Sequence, residues 1–481
     1  MSIEWIMEGV DPSKVRLFNT AIREKESLHP LREGELTLYT CGPTVYNFAH
    51  IGNFRTYLFE DLLRRTLEFF GWRVRQVMNL TDVDDKTIKG AIREGVTLEA
   101  FTKPYIEAFF EDLEALRIQP ASSYPKATDY IPQMIELIHC LLKKGVAYGG
   151  NDGSIYYSIA KFPRYGALSH LKLDELKVGA GEGALHDEYE KESASDFVLW
   201  KAYDPDRDGG IFWESPFGKG RPGWHLECSA MAMDLLGDEI DIHVGGVDNI
   251  FPHHENEIAQ SEACTGKCFV RHWMHADHLI VDGKKMSKSA GNFFTIRDLF
   301  AKGFSGDEVR YALLQTHYRI QLNFKFDEIE AVRASLERLN AFVRRLKGVA
   351  APDGEGRPTR RTEAALKGFA EGLADDLNIS SALAALFDWL RETNSLLDMK
   401  KVSAHEARAA LDLLTAANRV LGFITFDEPP VPPEIEQLLR CREEARLAKN
   451  WAEADRCRGE VLKRGYLIED TPKGPQAIKQ R

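Results

Sequence analysis

The sequence predicts an α/β fold: a Rossmann-like parallel-sheet nucleotide-binding domain split by an insertion, then an α-helical bundle and a small C-terminal domain. Three observations carry that expectation. A strand-to-helix junction lies between Leu36 and Trp72, a second group of strand and helix signals begins at Gly223, and the chain beyond Gly306 turns to helical spacing. With 481 residues there is room for roughly three domains, and 44% apolar residues are ample for buried cores. The expected boundaries are 17–120 and 223–300 for the two halves of the nucleotide fold, 121–222 for the insertion, 301–427 for the linking and bundle domain, and 428–481 for the C-terminal domain.

The first junction is the most informative. Leu36 to Tyr39 reads as an apolar strand, Cys41-Gly42-Pro43-Thr44-Val45-Tyr46 as a sharp turn, and His50-Ile51-Gly52-Asn53 as the entry to a helix. Leu58, Phe59, Leu62, Leu63, Leu67 and Phe70 recur at helical spacing until Gly71 stops it. A helix N-terminus fed by a strand favours anions, and His50 and Asn53 add donors beside Gly52, where a ligand can lie against the backbone. A nucleotide is the expected occupant, although an ordinary strand-to-helix turn with a surface histidine would produce the same tetrad. Arg73 to Leu80 then reads as a second strand, which places Thr81-Asp82-Val83-Asp84-Asp85-Lys86 at the crevice edge. Helix capping alone accounts equally well for those aspartates.

Helices are expected around Ile106, Phe109, Phe110, Leu113 and Leu116, and from Thr128 to Lys144. Strands and loops follow from Val146 to about Pro222, and Gly179-Ala180-Gly181-Glu182-Gly183 reads as a loop because no strand leads in and no helix leads out. Beyond Gly223-Trp224-His225-Leu226-Glu227-Cys228-Ser229-Ala230-Met231, a strand over Glu239 to Val244 delivers Asp248 to the same edge. Pro252 is the expected first residue of the next helix, on which His253 and Glu257 share a face. A solvated helix face would show that pair too, and a zincin motif fails because Ile258 occupies the place of its second histidine. Lys284-Lys285-Met286-Ser287-Lys288-Ser289 reads as a basic, phosphate-seeking loop.

The bundle is read from Ile329, Val332, Leu336, Leu339, Val343 and Leu346, from Leu383, Leu386, Phe387 and Leu390 behind a Ser380 cap, and from Leu411, Leu414 and Leu421 before Gly422. Pro429, Pro430, Pro432 and Pro433 stiffen the linker to the last segment. The whole chain carries −12, which excludes nucleic-acid binding by bulk charge, yet from Leu438 to Arg481 it carries a local +4 suited to phosphate contacts. Met1 to Val10 has neither a basic leader nor an apolar core, no run approaches transmembrane length, and residues 1–20 are expected to pack on the first domain. Seven irregularly spaced cysteines argue for reduced thiols or metal ligands in the cytoplasm, with Cys140, Cys441 and Cys457 incidental and no second ligand pair near Cys264 and Cys268.

In combination, His50-Ile51-Gly52-Asn53 and Lys285-Met286-Ser287-Lys288-Ser289 resemble the two signatures of class I aminoacyl-tRNA synthetases. Adding Thr40 to Tyr46, Gly223 to Met231 and Phe251-Pro252-His253-His254-Glu255-Asn256-Glu257, the chain resembles the cysteinyl-tRNA synthetase family from about Leu17 to Gly474. It departs from the family at Asn53, where a histidine is usual, and in the tail after Gly474.

The resemblance implies ligation of L-cysteine to its tRNA through a cysteinyl-adenylate, with ATP and Mg2+. His50, Gly52, Asn53 and Lys288 would bind ATP, and Lys285 would assist Lys288 in neutralising pyrophosphate. Thr81, Trp224 and Asp248 would bind the amino acid. Cys41, Cys228, His253 and Glu257 match the family's ligands for one zinc ion, which would select a thiolate over a serine hydroxyl; the thiolate would enter as a fifth ligand or displace Glu257. The C-terminal domain would read the anticodon arm. A cytoplasmic monomer with no membrane association is expected. Two rivals share parts of this pattern: a cysteine:amino-sugar ligase of the mycothiol-synthesis type, and a non-catalytic tRNA-binding paralogue.

Overall fold

The computed structural model describes residues 5–6, 10–171, 196–287, 291–350, 356–426, 431–471 and 474–479. Gly179 to Gly183 and Lys288 therefore lie outside the described residues. The chain forms two compact units, Val10–Ile329 with Lys367–Ala384, and Met1–Gly9 with Glu330–Leu366 and Ala385–Arg481.

The first unit is organised on a four-stranded parallel sheet. Strand β1 (Glu35–Thr40) leads through helix α1 (Ile51–Phe69) to β2 (Arg73–Met78). The expected apolar face of α1, from Leu58 to Leu67, is buried, and Phe70 follows it into the core. Gly71, at φ 96°, makes the turn into β2. Helix α2 (Asp85–Glu94) is capped by Asp84, whose carboxylate accepts from Thr87 N–H at 2.7 Å, and Asp82 accepts from Thr128 N–H at 3.0 Å. Both aspartates thus serve as caps and loop anchors. Helix α3 (Leu98–Ala115) buries Phe101, Ala108, Phe109, Asp112 and Leu113, leaving Phe110 exposed. Helix α4 (Ile131–Lys143) follows a short 3-10 turn at Ala127–Tyr130, so the single helix expected from Thr128 is two elements.

The insertion is an antiparallel sheet of Ala147–Gly149, Ile155–Ser158, Asp196–Ala202 and Gly220–Pro222. The nucleotide fold resumes with helix α5 (Trp224–Leu236), strand β3 (Ile240–Gly246), helix α6 (Glu255–Thr265) and strand β4 (Val270–Ala276). The strands stand in the order β4-β3-β1-β2, all parallel. Chain order reverses between β1 and β3, and ligand crevices form at the strand C-termini of such a switch point.

Three expectations are corrected. Helix α6 starts at Glu255 rather than Pro252: a cis Phe251–Pro252 bond and an extended Phe251 precede it, and Ile250–His254 form a π-turn. The helix Ile379–Asp398 is capped by Asn378, which accepts from Ser381 N–H at 3.1 Å; Ser380 already lies within it. Cys140 and Cys264 are joined in a disulfide, with Cα atoms 5.7 Å apart across a separation of 124 residues. Helices α4 and α6 bring their last turns together, a proximity that spacing along the chain does not encode.

In the second unit, Val332, Leu336, Leu339, Val343 and Leu346 line the buried face of helix Ile329–Val349 as expected. Helix Ala404–Leu421 ends at Gly422 in the left-handed conformation. The C-terminal segment pairs helices α7 (Pro433–Leu447) and α8 (Trp451–Lys463) with a β-hairpin, around Ile435, Leu439, Val461 and Ala477. Cys441 and Cys457, expected as unrelated residues, meet across this helical pair with sulfurs 2.8 Å apart beside Glu453.

Candidate active site and metal centre

A cavity of about 610 Å³ opens at the C-terminal edge of the parallel sheet. Its wall collects residues that follow each strand: most of Cys41 to Asn53 after β1, Val83 to Lys86 after β2, Val247 to Asn249 after β3, and Asp277 to Ile280 after β4. Trp224, Glu227, Lys285 and Met286 are among the other residues that line it.

The turn after β1 is held by its backbone. Val45 N–H donates to Thr81 O at 3.1 Å and Thr81 N–H donates to Pro43 O at 3.0 Å. Gly42 passes directly over Asn79, and a Cβ there would lie 1.8 Å from Asn79 O. At the head of α1, His50 and Asn53 cap each other: the His50 ring accepts from Asn53 N–H at 3.2 Å, and Asn53 Oδ1 accepts from His50 N–H at 3.1 Å. A Cβ on Gly52 would come within 2.9 Å of the His50 ring and Met286 Cε, so the tetrad and the basic loop meet at this glycine. Lys285 is exposed on the cavity wall.

Behind the cavity lies a buried cluster of donors. Ligand atoms of Cys41, His253, His254 and Glu257 all lie within 4.8 Å of one another. Cys228 adjoins them, with side-chain hydrogen bonds to Cys41 and His253. Cys41 comes from the end of β1, Cys228 from α5, and His253 and Glu257 from the π-turn and first turn of α6. Glu257 Oε1 is 2.8 Å from His253 Nε2, and its Oε2 is 2.8 Å from His243 Nε2. His254, weighed from spacing only as the start of a zincin motif, lies three residues before Glu257, on the same helical face, and its Nε2 is 3.3 Å from Cys41 Sγ.

Further histidines orient these groups. His254 Nδ1 is 2.8 Å from His275 Nε2, His275 Nδ1 is 2.7 Å from Thr20 Oγ1, and His225 Nδ1 is 2.9 Å from His253 Nδ1. Against the cost of burial, His243 and His253 pull Glu257 down to about 2. Again against burial, Glu257 and Cys228 push His253 up to about 10. The Cys41–Cys228 hydrogen bond holds the Cys41 thiol up and draws the Cys228 thiol down. Thiol, imidazole and carboxylate donors in one buried cluster suit a borderline-soft divalent cation such as zinc.

The remaining expected substrate residues are placed differently from one another. Trp224 is half-buried on the wall and stacks on His253, with ring centroids 4.2 Å apart. Thr81 is buried behind the wall, where its hydroxyl accepts from Asn79 Nδ2 at 3.1 Å. Asp248 has a side chain 84% exposed and lies 3.5 Å from His278 Nδ1. Glu227, which sequence reading passed over, is 1% exposed, and burial, then Cys228, Asp82 and Asp84, hold its carboxyl well above the usual range.

A family model for the tRNA synthetases class I (C) catalytic domain matches residues 27–334; a DALR domain matches 368–425, and a cysteinyl-tRNA ligase anticodon binding domain matches 428–477. The chain is 61% identical over 468 residues to a cysteine--tRNA ligase of Protochlamydia amoebophila (strain UWE25), covering 97% of this chain and 98% of that one. It is 57% identical over 475 residues to the cysteine--tRNA ligase of Chlamydia trachomatis serovar A, covering 96% and 99%. Among solved structures, a Mycobacterium tuberculosis methionyl-tRNA synthetase in complex with methionyl-adenylate superposes with a TM-score of 0.58 at 18% identity, covering 80% of this chain and 89% of that one. The last likeness establishes a shared fold.

Proposed function

Since the chain belongs to the cysteine--tRNA ligase family of class I tRNA synthetases and aminoacylates tRNA, we propose that it does so through a cysteinyl-adenylate and that a zinc ion selects the cysteine. The observation that carries this reading is the buried thiol, imidazole and carboxylate cluster directly behind the cavity. Cys41, His253 and Glu257, with Cys228 or His254, would hold the ion. Bound there, zinc supplies a soft seat for a substrate thiolate that a serine hydroxyl fills poorly, whereas shape alone separates such near-isosteres by only about 10- to 200-fold.

The chain's own residues do the rest. Trp224 walls the thiol side of the cavity, and Asp248 stands exposed at its rim. ATP, with Mg2+, lies against Gly52 at the head of α1, where an incoming phosphate would replace the mutual cap of His50 and Asn53. Asn53 donates without carrying charge, so the positive countercharge for departing pyrophosphate falls to Lys285 and Lys288. The in-line attack of the cysteine carboxylate on the α-phosphate then needs positioning more than covalent help from the protein. The match over 428–477 supports tRNA rather than an amino sugar as acceptor. We read the protein as a cytoplasmic monomer.

Metal analysis and pyrophosphate exchange test the selection step together. About one zinc per wild-type chain is expected, and Cys41→Ser is expected to lose both the metal and the preference for cysteine over serine. Metal-free protein that still rejects serine would overturn the reading.

A further inference from the structure

Cys441 and Cys457 belong to the second unit, do not line the catalytic cavity and serve no step described so far. Cys441 is half-buried on α7 and Cys457 is buried on α8. Cys457 Sγ donates to Cys441 Sγ at 2.8 Å, closer than unbonded sulfurs ordinarily rest. Both face Glu453, one turn before Cys457, whose Oε1 accepts from Cys441 Sγ at 3.4 Å and from Cys457 Sγ at 3.8 Å. Two thiols and a carboxylate could hold a soft cation, but this carboxylate is already engaged. Arg456 donates to Glu453 Oε1 from Nη2 at 2.6 Å and to Oε2 from Nε at 2.8 Å. That pairing, and then the hydrogen bond from Cys441, pull Glu453 down to about 2. A cation would have to share the carboxylate with a guanidinium, and two sulfurs alone fall short of the four ligands of a structural zinc site. Thiols in contact have another course open to them, which is to bond to each other.

We infer that Cys441 and Cys457 form an oxidisable dithiol, a modification site that reacts with a low-molecular-weight disulfide and staples α7 to α8. The thiolate of Cys441, the more exposed of the two, attacks one sulfur of the small disulfide. That S–S bond breaks, a mixed disulfide forms at Cys441 and one small thiolate leaves. Cys457 passes its proton to that thiolate and attacks the Cys441 sulfur, and the second small thiolate departs and takes from solvent the proton that Cys441 had released. Two protein thiols are oxidised, and one small disulfide is reduced to two thiols. The sulfurs must close from 2.8 Å to about 2.05 Å, which side-chain rotation can supply. The two roles are unequal. Burial, then the hydrogen bond to Cys441, pushes the Cys457 thiol up to about 12. Cys457 is therefore a poor nucleophile toward a disulfide in solution and reacts because its target is in contact with it. Intracellular disulfides of this transient kind are those that respond to redox conditions.

Equilibration of the metal-replete full-length chain with mixtures of reduced and oxidised glutathione tests this, followed by acid quenching, thiol alkylation and peptide mapping by mass spectrometry. The wild-type chain is expected to yield a linked Cys441–Cys457 peptide with no lasting glutathione at either position. Cys457→Ser is expected to retain glutathione on Cys441, whereas Cys441→Ser is expected to leave Cys457 unmodified. Charging of tRNA by the reduced variants shows that the C-terminal segment is folded, and Cys457→Ala takes the place of Cys457→Ser where charging is lost. Two free thiols in the oxidised wild-type chain, a stable glutathione adduct there, or glutathione on Cys457 of the Cys441→Ser variant would overturn the inference. So would zinc bound by the wild-type chain beyond the Cys41 cluster and lost in both variants, since the pair would then be a metal site.

Discussion

At the scale of single residues, the site depends on places where no other side chain fits. Gly42 carries Cys41 past Asn79 with no space for a Cβ. Gly42→Ala is expected to force the turn away from β2, lowering stability by about 1–3 kcal/mol and releasing metal, as thermal unfolding and metal analysis would show. Gly210→Ala, which meets nothing within 4 Å, serves as the neutral control. The set Cys41, Cys228, His253 and Glu257 was named through the family resemblance; spacing alone put only His253 and Glu257 on one face, a pair that a solvated helix face would show too. His254 was weighed only as the start of a zincin motif, which Ile258 rules out, although it also stands at i, i+3 from Glu257. Glu227 carried no signal, since one acid in an apolar helical stretch declares nothing until its burial on the cavity wall is seen.

At the scale of elements, hydrophobic period was a dependable guide. α1 and the helix Ile329–Val349 bury the residues their spacing named. Ends were less so: Ser380 and Asn378 are both able caps, and only backbone geometry decides between them. Pro252 fits a helix start, but the extended Phe251 beside it does not. Helix α3 offers an electrostatic prediction. Burial raises Asp112 to about 6 despite Arg297 nearby, with Arg297 Nε 3.3 Å away. A carboxyl raised in the folded state costs stability as pH climbs from its unfolded value through about 6. Asp112→Asn is therefore expected to stabilise the protein by about 1–2 kcal/mol at pH 7 and to give no gain below about pH 4, read from urea unfolding at the two pH values.

At the scale of the whole molecule, the order of strand, insertion and strand was readable because each half ends in a recognisable turn. The disulfide between Cys140 and Cys264 was not, since it depends on how two distant helices pack. The C-terminal segment has a core of its own, formed by Ile435, Leu439, Val461 and Ala477. A chain ending at Phe426 is thus expected to retain cysteine-dependent pyrophosphate exchange and lose most of its tRNA charging. Parallel loss of both activities would show that the segment supports the catalytic unit as well as the acceptor.

Cys41 and His254 stand 213 residues apart in the chain. A ribosome adding about 5–20 residues per second exposes the cysteine for roughly ten seconds or more before any histidine of the cluster has been made. The complete cluster cannot close on a cation in that interval, however abundant the metal is in the cell. A nascent polypeptide stalled there would present a bare thiol to oxidants, so metallation of this protein waits until synthesis has passed Glu257, beyond the midpoint of its 481 residues.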